Sequence, residues 1–66
     1  MFIDYWKSLS STEKKELAQV VNSKVSYLRH VANGRHVAGI VLAKKLHDAT
    51  EGIIDKHKLR PDFFIH

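Results

Sequence analysis

The chain has 66 residues, no cysteine, a net charge of +4 and an isoelectric point near 9.6. That length makes one domain, residues 1–66, whose small core buries ~60% of the surface exposed on unfolding, with no disulfide or thiolate metal site to brace it. The opening "MFIDYWKSL" has an acid and no basic leader, so it does not read as a signal peptide, and no run approaches the ~18 apolar residues of a membrane span; the expected location is the cytoplasm, at the nucleoid.

In chain order, Phe2, Trp6 and Leu9 fall on one helical stripe with Ile3 and Tyr5 at its edges. "SSTE" follows, and Ser10 with Glu13 three positions on is a capping-box spacing, so a second helix should start near Ser11 or Thr12. Its inward residues are expected to be Leu17, Val20 and Val21, with Ala18 at a close crossing. That helix should end at Asn22-Ser23, because asparagine tolerates the left-handed backbone of a sharp turn.

A third helix, about Lys24 to Ala32, should bury Leu28 and Val31 fully and Tyr27 in part. Asn33-Gly34 stops it, glycine taking the left-handed position beyond a helix end without steric cost. A fourth helix is expected from about Val37 to Ala49, with Ile40, Val41, Leu42 and Leu46 as its apolar residues. Gly39 weakens its first turn by roughly 1 kcal/mol against alanine. Ile53 and Ile54 resume an apolar run. Asp55 can cap a short turn through Leu59, which Pro61 halts. The fold class is all-α, four to five short helices.

Charge is unevenly spread. From Leu17 to His47 there is no Asp or Glu, while Lys24, Arg29, Arg35, Lys44 and Lys45 lie inside that span with three histidines among them. A basic middle flanked by acids is the footprint of a polyanion-binding face, although Lys and Arg also simply solvate helices.

The second and third helices have the spacing of a helix-turn-helix: a small residue at Ala18, a turn residue at Asn22, and inward anchors at Leu28 and Val31. With those anchors inward, the outward residues are Lys24, Val25, Ser26, Arg29, His30 and Asn33. In the major groove, Arg29 can pair with guanine, Asn33 with adenine and Val25 with a thymine methyl, while Ser26 can bond a base or a phosphate. Lys14, Lys15, Arg35 and His36, with Lys24 at the edge of both sets, read as phosphate contacts that fix register.

"LAQVVNSKVSYLRHVANGR" resembles the helix-turn-helix of Cro-like phage repressors. "FIDYWKSLSSTEKKELA" and "KLHDATEGIIDKHKLRPDFF" are similar to the opening and closing segments of the YdaS-type branch of that family, so the resemblance spans nearly the whole chain. It departs at Asn22, where the family usually has glycine, and at Ser23, where an apolar residue normally tucks between the helices. The resemblance implies a λ-repressor/Cro-like domain and a sequence-specific regulator of transcription on double-stranded DNA. It also implies DNA contacts from Lys24, Val25, Ser26, Arg29, His30 and Asn33, and a backbone contact near Lys14.

A single recognition helix reads few base pairs, so a two-fold dimer on a palindromic operator is expected. Ile53, Ile54, Phe63, Phe64 and Ile65 are the candidate interface, unless they fold back onto the core of the same chain. No cofactor or small-molecule substrate is called for.

Other chemistries fit less well. The histidines lack paired ligand spacing on one helix, and solvent exposure is the simpler reading of them; no metal is expected. Ser26 and His30 stand four apart without an orienting acid, and no glycine-rich phosphate loop or carboxylate pair is present, so an enzyme is not expected. Phe2, Tyr5 and Trp6 could stack bases but sit at core spacing. The helix around Lys44-Lys45 could lie on a membrane surface, but the bundle needs its apolar face. The competing reading from another class is a helix-turn-helix used to grip a protein, as an antirepressor or antitoxin-like inhibitor.

Overall fold

Ser10 and Glu13 close the capping box that their spacing predicts. The Glu13 N–H donates to Ser10 Oγ at 3.1 Å and the Ser10 N–H to Glu13 Oε1 at 2.9 Å. The Ser10 backbone, and then its side chain, hold the Glu13 carboxyl below its ordinary value of 4.5. The computed structural model describes residues 2–64. It consists of α1 Phe2–Ser8, α2 Ser11–Val20, α3 Val25–Ala32, α4 Ile40–Ala49 and α5 Lys56–Leu59, with no strand among the described residues. The fold is all-α, as expected.

Helix α3 packs against both α1 and α2, and α4 packs against α5. The core gathers Phe2 and Trp6 from α1, Leu17, Ala18 and Val21 from around α2, and Leu28, Val31 and Ala32 from α3; Ala38, Ala43, Leu46 and Ile54 complete it. Leu28 and Leu46 are wholly enclosed, and each such side chain contributes ~1.5–3 kcal/mol by leaving water. Phe2 meets Trp6 edge-on with centroids 6.2 Å apart.

Four apolar expectations need correcting. Val20 is 68% exposed, because the inward stripe of α2 runs through Leu17, Ala18 and Val21 and leaves Val20 on its far side. Helix α4 begins at Ile40, not Val37: Gly39 is its N-cap in extended conformation (φ −65°, ψ 161°), and Val37 stands in solvent. The glycine that weakens a helix interior costs little one step before it. The inward stripe of α4 is Ala43 and Leu46 with Leu42 beside them, so Ile40 and Val41 are exposed.

The fourth correction concerns the expected dimer residues. Ile54 is 1% exposed and belongs to the core of its own chain. Thr50 puts it there: its hydroxyl donates to the Leu46 carbonyl at 2.7 Å and accepts the Ile54 N–H at 3.0 Å, folding the chain back at the end of α4. Phe64 is half-buried against the core, while Ile53 and Phe63 keep exposed apolar surface; Ile65 lies outside the described residues.

Asp55 caps α5, accepting the His57 N–H at 2.9 Å. Beyond α5, Arg60 grips Asp62 in a fork (Nε to Oδ1 2.9 Å, Nη2 to Oδ2 2.7 Å) and its Nη1 donates to the Ala38 carbonyl at 3.3 Å. The pair raises the Arg60 value and lowers that of Asp62. Through it the C-terminal segment holds the α3–α4 connection in place.

Candidate nucleic-acid interface

The turn between α2 and α3 decides what α3 presents. Asn22 adopts φ 54°, the left-handed conformation its side chain tolerates. Its N–H bonds to the Gln19 carbonyl at 3.1 Å, and the Ser23 N–H reaches back to Ala18 at 2.8 Å. These two bonds are the Schellman ending of a helix. Asparagine therefore supplies the left-handed turn residue here, and Ser23 is half-buried next to it.

Helix α3 starts at Val25 from an extended Lys24, with no side chain capping its first turn and no acid in that turn. Its open N–H groups and the positive end of its dipole favour an approaching anion. Its far end is closed locally. The Asn33 side chain donates to the Arg29 carbonyl at 2.8 Å, and Gly34 (φ 78°) leads a second Schellman pair, Gly34 N–H to Val31 and Arg35 N–H to His30. One amide proton of Asn33 is thereby used, although the residue as a whole is exposed.

With Leu28 at 0% and Val31 at 6% exposure, α3 is oriented as its apolar spacing predicts. Ser26, Arg29 and Asn33 are exposed along its outward side, and Lys24 is exposed just before its first turn. Val25 is half-buried against the core and sits on the shoulder of that face, so only part of it is accessible. His30 is half-buried too, held edge-on to His36 at 5.5 Å.

The expected phosphate contacts divide into two groups. Arg35 and His36 are exposed on the connection leaving α3, next to the exposed residues of that helix. Lys15 is exposed on α2, whereas Lys14 is half-buried with its Nζ 5.2 Å from the centre of the Trp6 ring, a cation–π contact that draws its charge toward α1.

Two features escape sequence reading. Tyr27 stacks on His36 with centroids 5.9 Å apart, so Tyr27, His36 and His30 form a small aromatic cluster that pins the connection to α3. Arg60 holds the other end of that connection through Ala38. Both depend on contacts between residues distant in sequence. The Arg60-Pro-Asp62 spacing was the one available hint of the second.

His47 and His57 are half-buried and bonded, which corrects the expectation of simple solvent exposure. His47 Nδ1 accepts the Lys56 N–H at 3.2 Å, and His57 Nδ1 lies 2.9 Å from Asp55 Oδ1. Asp55 is held below its ordinary value of 3.8, first by the His57 backbone N–H and then by its ring. The His47–Lys56 bond joins α4 to α5, and the Asp55–His57 pair closes the start of α5. Among the described residues no group of three His, Asp or Glu side chains could hold a metal ion, and no helix is long and apolar enough to cross a membrane.

Over 60 residues, covering 91% of both chains, the sequence is 50% identical to a prophage transcriptional regulatory protein of Escherichia coli (strain K12). No protein-family model and no solved structure matches it.

Proposed function

The chain belongs to the family of this prophage transcriptional regulatory protein, and on that premise we propose that it binds a palindromic DNA operator as a dimer, with α3 in the major groove. On this reading α2 and α3 form a Cro-like helix-turn-helix within a single domain. Arg29 and Asn33 read base edges, Ser26 and Lys24 work at the start of the helix, and Arg35, His36 and Lys15 engage phosphates. Val25 and His30 make edge contacts limited by their partial burial, and Lys14 reaches the backbone from beside Trp6. Ile53 and Phe63 supply exposed apolar surface for a second copy.

One observation carries the reading. The face opposite Leu28 and Val31, from Lys24 through His36, displays Lys, Ser, Arg, His and Asn and no acid. A face that meets phosphates has a physical reason to exclude acids, which a merely solvated face lacks.

The experiment is selection of bound duplexes from a random pool, with a salt titration of the winner against a scrambled control. The expected result is a palindromic consensus bound about a thousandfold more tightly than the control. Weak binding that falls equally with salt for every sequence would reduce the face to a generic polyanion patch. The protein-gripping reading would then replace this one.

A further inference from the structure

Two adjoining surfaces are left unused by the DNA-facing side. The first is an open groove of about 300 Å³ between the end of α1, the outer side of α2 and the end of α4. Leu9, Leu17, Val20 and Ala49 give it an apolar floor, and Glu13 and Glu16 stand along its rim. The second lies nearby, where Ile53 stands 62% exposed over a hollow that Asp55 and Lys58 also line. Helix α1 borders both, with Tyr5 in the groove and Phe2 in the hollow, and Ala49 and Ile53 are only four residues apart. The groove is lined by two acids, while beside the exposed Ile53 the hollow carries one acid, Asp55, already held by His57, and one base, Lys58.

A two-fold dimer requires a self-complementary surface, and an exposed Ile53 with Lys58 close to a groove lined by Glu13 and Glu16 can supply one, since each copy then offers the groove and fills its partner's. We propose that this chain pairs with a second copy of itself by seating Ile53 in the partner's groove, with Lys58 against the partner's Glu16. Glu16 is the available acid, because Glu13 Oε1 is engaged by the Ser10 N–H. The inference rests on the dimeric reading above and is independent of which operator is bound. Charge selects this face over the other apolar one. Around Val41 the hollow is lined by Lys45 with Asn22, Ser23 and Tyr27 and has no acid, so two copies meeting there would bring like charges together.

The test is sedimentation equilibrium of the full chain without DNA, with circular dichroism to confirm folding. Glu16→Lys and Lys58→Glu should each weaken the dimer roughly tenfold, because each pair occurs twice across a two-fold axis. The double variant E16K/K58E should recover most of that loss, and Ile53→Asp should leave a folded monomer. A wild-type chain that stays monomeric at every concentration would overturn the proposal. So would a dimer indifferent to the single swaps, or one that the double swap does not rescue. Duplex binding by the same proteins separates this inference from the DNA reading. A monomer that still prefers one half-site sinks the interface alone, whereas a swap-sensitive dimer without sequence preference supports the interface and sinks the DNA reading.

Discussion

Arg29→Ala separates recognition from folding more cleanly than any other change in this chain. The Arg29 backbone carbonyl closes α3, accepting the Asn33 N–H at 3.0 Å and its side-chain amide at 2.8 Å, and both bonds survive the substitution. The guanidinium is exposed, and Arg and Ala are both good helix formers, so stability should change by less than about 0.5 kcal/mol. A bidentate Arg–guanine pair discriminates by ~1–3 kcal/mol. In affinity this is roughly 5- to 150-fold per half-site, counted in both halves of a palindrome. The assay is fluorescence anisotropy on the selected duplex and on duplexes changed at one symmetric base pair at a time, for wild type and variant. The variant should lose preference at one position per half-site and keep it at the others. Lys15→Ala should instead weaken every duplex alike and reduce the salt slope by about one. If Arg29→Ala lowers affinity uniformly with every base preference intact, Arg29 touches phosphate and the docking is wrong.

Leu28→Ala should cost ~2–5 kcal/mol, a large part of the roughly 3–10 kcal/mol available to a domain of this length. Urea unfolding followed by the fluorescence of buried Trp6 measures it, and a near-neutral result would mean α3 is turned the other way. Glu51 sits at φ 53° just past α4, where a side chain costs ~1–2 kcal/mol. Glu51→Gly should therefore stabilise by about 0.5–1 kcal/mol after the entropy that glycine adds to the unfolded chain, raising Tm by a few degrees. Gly52→Ala (φ 84°) should destabilise through its backbone alone, since the added carbon would meet His47 at an ordinary 3.5 Å. Asp55, Asp62 and Glu13 all have depressed carboxyl values in the folded chain. Each therefore binds protons more readily unfolded than folded, and its contribution is present above about pH 4 and lost as pH falls through the depressed value. Urea midpoints should drop across that acidic window, and Asp55→Asn should make the drop shallower; an unchanged slope would show that the α5 cap contributes nothing.

What the sequence made legible was local. The Ser10–Glu13 box, the left-handed Asn22 and Gly34, and the Asp55 cap each involve partners within five residues, so residue type and spacing suffice to place them. The face of α3 was legible for a related reason: Leu28 and Val31 are one turn apart, and burying them fixes every other side chain of the helix. The start of α4 was not legible. Gly39 is compatible with a helix interior or a cap, and the surroundings that accompany the cap are the burial of Ala38 and its bond to Arg60, 22 residues away. Ile54 was left open between a dimer contact and its own core because an apolar pair in sequence does not say which member turns inward, and it is the Thr50 hydroxyl that decides. Lys14 reads as a free cation until Trp6 is seen beneath it.

These non-local contacts shape how recognition is coupled to stability. Helix α3 is at once the packing centre of α1 and α2 and, on the proposed reading, the surface offered to DNA, so its inward residues cannot be changed without loss of the fold. The connection after α3 behaves differently. It carries Arg35 and His36, and it is held at one end by Tyr27 and at the other by Arg60 on the Ala38 carbonyl. Arg60 is oriented by Asp62, so the C-terminal segment steadies a loop beside the exposed face of α3 although it follows α5 in the chain. Loosening that strap leaves Leu28 and Val31 enclosed while freeing the loop's two basic groups. Affinity for phosphates should thus be adjustable from the C-terminal segment, whereas base preference stays with the exposed face of α3.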